Sequence, residues 1–267
     1  MASKEFYKNA HAYDIAFSDR EFETECDLLE WFLRNHSKID LDRLNKLSFT
    51  ELACGPGRHA REFAKRGWRS VALDLSEDMV NYAAKEAEKS NLPLEAIHGD
   101  MIDYSIKEPV ALTATVMESI SHILTNEQMI LHFRSVAKNT LPGGIYVIEA
   151  THPRYFFPDE EANIWVSKEG NIEVEITFGV PGDEYNSVTQ QWMVTNIMRY
   201  RENGKELHEV VSVSPIRWYL AQEMKALIEL SGVFDECWFY GSMYGIPPKE
   251  LDDNENSDAM VIVLRVK

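Results

Sequence analysis

The chain has 267 residues, a formal net charge of −17 and 45% hydrophobic side chains. That content supports a substantial core, while the negative field repels phosphate backbones and anionic bilayers, so neither nucleic acid nor membrane is an expected partner. No apolar run is long enough for a membrane span, the start MASKEFYKNAHAYD lacks a signal-peptide core, and Cys26, Cys54 and Cys237 fit neither a zinc site nor a disulfide framework. A reducing, cytoplasmic setting is the expectation, with no metal site.

In chain order, EFETECDLLEWFLRNH places Phe22, Cys26, Leu29 and Phe32 on one apolar stripe and predicts a helix. An apolar strand ending in LSFTELAC follows, then the turn CGPG and a helix through RHAREFAKRG with Gly67 as its C-terminal cap. RSVALDL reads as a buried parallel strand. Ser76 suits an N-cap, with Glu77 and Asp78 in the first turn of a helix reaching about Ser90. LEAIHGD and VALTATVM are the third and fourth strands, and NEQMILHFRSVAKNT is the helix after them. LPGG turns into the fifth strand, GIYVIEA. This alternation predicts a parallel sheet covered by helices on both faces.

The pattern then changes. NIEVEITF, SVTQQWMVTNIMRYR and KELHEVVSV read as strands, with Asn203-Gly204 as a hairpin turn between the last two. After Pro215 a helix is predicted through WYLAQEMKALIELSG. FDECWFYG and AMVIVLRVK are the closing strands, joined by the acidic loop ELDDNENSD. Residues 1–150 and 216–267 therefore form one domain, and 151–215 form a β-rich insertion.

The chemistry-bearing residues stand at strand ends. Gly55-Pro56-Gly57 leaves a strand and opens a helix, where glycine permits a tight turn and close approach of a ligand. Asp74 ends the second strand, where a carboxylate accepts bonds from a ribose diol. Asp100, in Gly99-Asp100-Met101, leaves the third strand, where a carboxylate takes an exocyclic amine. These positions indicate a nucleoside; a nicotinamide-dependent oxidoreductase on a similar sheet stays open at this point.

ELACGPGRHAREFAKRG resembles motif I of the class I S-adenosylmethionine-dependent methyltransferases. VALDLSEDMVNYAAK resembles their acidic ribose motif, HGDM their adenine motif and LPGGIYVIEA their approach to the fifth strand. The resemblance implies an α/β fold: a Rossmann-like, seven-stranded, mostly parallel sheet with an antiparallel last strand. It implies S-adenosyl-L-methionine as cofactor. Backbone around Glu51, Ala53, Gly55 and Gly57 would face its methionine part, Asp74 its ribose, Leu75 and Met79 its adenine, and Asp100 and Met101 the adenine edge. Met117 would line the cofactor or the transferred methyl. The alternative is a module that binds the cofactor without catalysis.

Ligands of open α/β sheets sit beyond the carboxyl ends of the strands. The expected acceptor is a small molecule, taking the methyl on N or O by in-line displacement. FYKNAHAYD resembles the N-terminal Tyr-Asp segment that folds over the cofactor in small-molecule methyltransferases, with Tyr13 a better match than Tyr7. Ser119 and His122 follow the fourth strand, and a His at this place faces the acceptor in similar enzymes. Neutral His122 can accept a proton near pH 7, because imidazole titrates at roughly 6.5. His152 follows the fifth strand. Tyr155, Phe156, Phe157 and Trp165 are candidates for an aromatic lid. The arrangement resembles the amino-sugar N-methyltransferases, and the insertion suits either a lid or a homodimer interface.

Overall fold

A computed structural model describes residues 9–156, 162–202 and 207–267. Five strands alternate with helices: β1 (Ser48–Leu52), β2 (Arg69–Asp74), β3 (Leu94–His98), β4 (Val110–Thr115) and β5 (Thr140–Thr151). With β11 (Phe234–Tyr240) and β12 (Ala259–Val266) they form a seven-stranded sheet in the order β11-β12-β5-β4-β1-β2-β3. β1 through β5 pair in parallel, whereas β12 runs antiparallel to both β5 and β11. Strand order reverses at β1 and β4, which is where open α/β sheets form their ligand crevice.

Every residue of β1 and β4 is buried, the condition of central strands covered on both faces. Helix α2 (Phe22–His36) follows α1 (Ala10–Ala16) and covers one face, where Leu29 and Phe32 pack with Phe49 and Ala114. Phe63 of α3 (Arg58–Lys65) joins them. On the other face, Met129 and Phe133 of α5 (Asn126–Asn139) pack with Leu227 of α6 (Ala221–Ser231) and with Tyr146 and Ile148 of β5. Ser76 caps α4 (Glu77–Lys89) by accepting from the Met79 amide at 3.4 Å.

The insertion is a second, antiparallel sheet in the order β10-β9-β7-β6, built from β6 (Asn163–Glu169), β7 (Ile172–Phe178), β9 (Gln191–Glu202) and β10 (His208–Arg217), with short β8 (Tyr185–Asn186) paired to β9. Its inner face, through Val174, Ile176 and Met198, covers Ala12 and Ile15 of α1. Trp165 Nε1 and Ser167 Oγ both donate to the Ala16 carbonyl, at 2.9 and 3.0 Å.

Several elements differ from the sequence reading. β6 is a strand that had no alternating pattern to announce it, and Trp165 lies on it against Phe17. The residues of LPGG join β5, which starts at Thr140. α1 is a short helix that the N-terminal segment did not signal. β10 runs through Pro215 to Arg217, so α6 starts only at Ala221; Pro215 and the Trp218-Tyr219 pair extend the chain before the helix can begin. Asn203-Gly204, Phe157 and Tyr7 lie outside the described residues.

Gly57 caps α3 at φ 72°, and an added Cβ would lie 3.0 Å from the Ala83 Cβ. Backbone strain at such a position costs about 1–3 kcal/mol. Gly57→Ala is therefore expected to lower unfolding stability by that amount, read by urea denaturation; an unchanged midpoint would show that the turn is not strained by a side chain.

Candidate active site

The turn after β1 adopts left-handed backbone at Ala53 (φ 51°), Gly55 (φ 50°) and Gly57 (φ 72°). That alternation folds the chain tightly back and brings the Gly55 amide onto Asp74 Oδ2 at 2.8 Å. Asp74 Oδ1 takes the Ser76 amide at 2.8 Å. Each oxygen of a carboxylate has two lone pairs, so both keep one for a ligand's hydroxyls. Burial raises the Asp74 pKa, and the Ser76 and Gly55 amides oppose that.

Leu75, next along, is 68% exposed at the sheet edge, as an open platform. Asp100 at the exit of β3 is exposed and accepts the Ile102 amide at 2.9 Å. The carbonyl of buried Met101 accepts from His132 Nδ1 at 2.7 Å. His132 Nε2 then meets the Tyr146 hydroxyl at 2.7 Å, and Tyr146 meets Thr115 Oγ1 at 2.8 Å. Burial holds His132 down at about 4, so it stays neutral, consistent with Tyr146 donating to Nε2. This internal relay fixes the loop that carries Asp100 and Met101. Met79 is a correction: its side chain is fully buried in the core, so of the expected adenine pair only Leu75 faces outward.

A pocket lies beside the glycine turn, lined by Tyr13, Phe17, Glu51, Cys54, Pro56 and Met117. Tyr13 Cε1 comes within 3.6 Å of where a Gly55 Cβ would stand, so its ring lies against the turn. Asp14 docks this segment. Its carboxylate accepts from Arg58 Nε, and from the Tyr82 hydroxyl at 3.0 Å. Of the Tyr-Asp pair, Asp14 holds α1 in place and Tyr13 presents the ring.

Glu51 turns inward. It accepts from the Ala60 amide at 2.8 Å and pairs with His59 Nδ1 at 2.9 Å. His59 Nε2 pairs with Glu25 at 2.7 Å. Arg20 bonds Glu25 at 2.9 Å and both oxygens of Glu149 at 3.0 Å. Glu149 closes the chain on the Met117 amide at 2.7 Å. Burial alone would lower the His59 pKa, but the Glu51 charge and the bonds to Glu25 and Glu51 raise it to about 9. Burial would raise Glu25, but the His59 bond and charge, with Arg20, lower it to about 2.

His122 ends the short turn Ser119–His122 after β4. The residue is exposed to solvent, yet enough protein surrounds it that burial lowers its pKa. β9 and β10 of the insertion frame the same turn, because Gln191 and Arg217 both donate to the Leu124 carbonyl, at 3.4 and 3.3 Å. His152 is not open in this way. Its Nε2 donates to the Asp252 carbonyl at 2.9 Å and its Nδ1 accepts from the Arg154 amide at 3.1 Å. It ties the fifth-strand exit to the acidic loop. Phe156 stacks on Trp218, with ring centroids 4.9 Å apart, in a cluster with Trp192.

The structure thus gathers Tyr13, Gly55, Asp74 and Met117 around the glycine turn, places Asp100 and Leu75 at the neighbouring strand ends, and leaves His122 exposed at the end of the turn after β4. Sequence reasoning took Asp14 only as part of the Tyr-Asp segment and missed Arg20, Glu25, His59 and Glu149. A signal existed for two of them: Glu25 interrupts the apolar stripe of α2, and Glu149 stands inside an otherwise apolar strand.

A family model described as a methyltransferase domain matches residues 49–144. An N,N-dimethyltransferase of dTDP-3-amino-3,4,6-trideoxy-α-D-glucopyranose from Streptomyces venezuelae is 32% identical over 170 residues, 55% of this chain and 68% of that protein. The dTDP-3-amino-3,6-dideoxy-α-D-glucopyranose N,N-dimethyltransferase of Streptomyces fradiae is 24% identical over 204 residues, 75% of this chain and 76% of that one. Among solved structures, Streptomyces venezuelae DesVI matches with a TM-score of 0.75 at 20% identity, covering 97% of this chain and 98% of that one. An S-adenosylmethionine-dependent methyltransferase from Clostridium acetobutylicum gives 0.74 at 13% identity, covering 98% of each. These last two speak for the fold. The chain belongs to the class I S-adenosylmethionine-dependent methyltransferases. Its cofactor is S-adenosyl-L-methionine, and the left-handed turn, the Asp74 carboxylate with lone pairs to spare and the pocket at Tyr13 fit that group.

Two outcomes follow. Asp74→Ala is expected to weaken S-adenosylhomocysteine binding at least tenfold in calorimetry; unchanged affinity would remove Asp74 from the ribose site. His59→Ala leaves buried Glu51 without a counter-ion and Glu25 with Arg20 alone, and is expected to cost about 3–5 kcal/mol of stability. In the wild type, the His59 contribution is complete below its ordinary 6.5 and is lost as pH rises through about 9. The Glu25 contribution is complete above its ordinary 4.5 and is lost as pH falls toward about 2. Urea midpoints across pH read both limbs; a flat profile through pH 9 would show that His59 is neutral in the folded protein.

Proposed function

We propose that this enzyme methylates the nitrogen of an amino sugar carried on a nucleotide. The observation that carries the reading is the pocket beside the glycine turn, lined by Tyr13, Phe17, Cys54, Pro56 and Met117, with neutral His122 on the short turn that follows Met117. The amino-sugar N,N-dimethyltransferases among its relatives support the same acceptor class. When bound, S-adenosylmethionine supplies an activated methyl on a sulfonium. Gly55 and Asp74 would orient it, and Tyr13 with the Asp14-docked helix would exclude water above it. Met117, whose amide is fixed by Glu149, would border the methyl.

A neutral amine attacks without help from a base, whereas a hydroxyl must lose its proton. His122 therefore positions the acceptor, and it acts as a base only if the nucleophile is an oxygen. The overall charge of −17 supports a small molecule over nucleic acid. The thiols Cys26, Cys54 and Cys237 are all free, which supports the cytoplasmic reading. For the homodimer, the support is the outer face of the insertion sheet, where Ile164, Val166, Val211 and Val213 remain exposed. Sedimentation of the purified protein decides it: a dimer is expected, and a monomer at micromolar concentration would assign that face to another use.

The test of the activity is methyl transfer to dTDP-3-amino-3,6-dideoxyglucose, followed by mass spectrometry. One or two added methyl groups on nitrogen are expected. With this acceptor His122→Ala is expected to lower kcat by less than about tenfold, because the general-base contribution of about 10²–10⁴ is not drawn upon. Methylation of the hydroxyl counterpart alone, with a loss in that larger range, would replace the amine reading with an oxygen acceptor.

A further inference from the structure

The turn that carries His122 is fixed at its two ends by different parts of the chain. At its start, Met117 (φ 54°) and Glu118 (φ 61°) hold left-handed backbone although neither is glycine. Such residues are strained and persist where the surroundings fix them. Here β5 does so. Glu149 accepts from the Met117 amide at 2.7 Å, and the Glu118 carboxyl group is engaged by Thr151.

At its far end the turn runs into Ile123 and Leu124, which belong to no strand or helix. Among the described residues no backbone amide bonds either carbonyl. Ile123 is fully buried, so an unpaired carbonyl there would be costly. Two side chains from the exit of β10 supply the donors. The Tyr219 hydroxyl donates to the Ile123 carbonyl at 2.5 Å, and Arg217 Nη1 donates to the Leu124 carbonyl at 3.3 Å. Both residues are buried. The Arg217 guanidinium lies over the Tyr219 ring, 4.6 Å from its centroid, so the pair forms one stacked unit. Arg217 Nη2 donates to Gln190 Oε1 at 3.0 Å and to Glu223, whose carboxylate offsets the buried charge. None of these residues lines the pocket beside the glycine turn. Any effect they have on the reaction must pass through the turn they hold.

We infer that Arg217 and Tyr219 are positioning residues for His122: as a stacked pair at the base of the insertion, they hold the two residues that follow it and so set where its ring meets the acceptor. This rests on the reading that His122 faces the acceptor. An exposed imidazole on a short turn keeps one direction only while the backbone at both ends is fixed. A misplacement of about 1 Å, caused far from the reacting atoms, can cost on the order of 10²-fold in rate. The insertion then has a task beyond covering α1, because its last strand delivers the clamp.

The test uses the full chain. Tyr219→Phe removes one hydroxyl, keeps the ring beneath Arg217 and changes no charge. Arg217→Lys keeps the charge facing Glu223, but an ammonium cannot span the Leu124 carbonyl and Gln190 as the planar fork does. Histidine ring signals are followed by NMR across pH, with the His122 signal assigned by its absence from His122→Ala. Burial holds wild-type His122 below its ordinary 6.5. In Tyr219→Phe its titration is expected to move up toward that value, because a released turn gives the ring to water. In methyl transfer to dTDP-3-amino-3,6-dideoxyglucose, each variant is expected to lower kcat/KM at least about threefold in the wild-type background and less than about 1.5-fold in His122→Ala, where the ring they act through is gone. S-adenosylhomocysteine affinity by calorimetry is expected to be unchanged throughout. An unmoved His122 titration, an equal loss of kcat/KM in both backgrounds, or a matching loss of S-adenosylhomocysteine affinity would overturn the inference. So would a lower melting temperature with every other readout unchanged, which would leave the pair a purely structural clamp. A wild type inactive on this acceptor would remove the amino-sugar reading, and the ring titration, which needs no acceptor, would still judge the pair.

Discussion

The site depends on one chain of buried charges. Glu51, His59, Glu25, Arg20 and Glu149 alternate in sign and link β1, α3, α2, the N-terminal segment and β5 in turn. Glu25 and His59 are wholly buried, and removing one member strands its neighbours in a medium that cannot solvate them. The chain ends on two backbone amides, Ala60 at the start of α3 and Met117 at the exit of β4. Both ends therefore fix loops that border the cofactor pocket.

A second layer of polar contacts acts on the parts that the charge chain does not reach. The His132–Tyr146–Thr115 relay holds the loop after β3. Asp14, with Arg58 and Tyr82, holds α1 above the glycine turn, and the insertion sheet presses on the other side of that helix. The insertion is thus part of the site's roof as well as a separate sheet. Its β9 and β10 also support the turn that carries Glu118 and His122. Catalysis that relies on alignment and exclusion of water needs walls that do not yield, and these walls are anchored by buried, satisfied polar groups.

Much of this was legible in the residues. Alternating strand and helix signals, glycines at Gly55 and Gly57, and acids at Asp74 and Asp100 located the sheet, its order of use and the nucleoside end of the site. The insertion was visible as a change of period, although β6 escaped because NIWVSKE shows little alternation of apolar and polar residues on its mostly exposed edge. Met79 matched a position that packs near adenine in similar enzymes, and His152 stands directly after the fifth strand, yet one packs in the core and the other has both ring nitrogens engaged.

By itself, the sequence determined the class of fold and the strand ends that meet a nucleoside, because those follow from local periodicity and from residue types tied to single turns, while the cofactor was implied by the resemblance of its motifs to those of the class I methyltransferases. Only the tertiary structure decided which charged side chains are buried and whom they face. Glu25 and Glu149 show in the sequence only as breaks in apolar patterns, and His59 reads alone as an ordinary polar residue. Their roles arise when elements distant in the chain close upon one another and take the water away, since partner and burial, more than residue type, fix the charge state of an ionisable group.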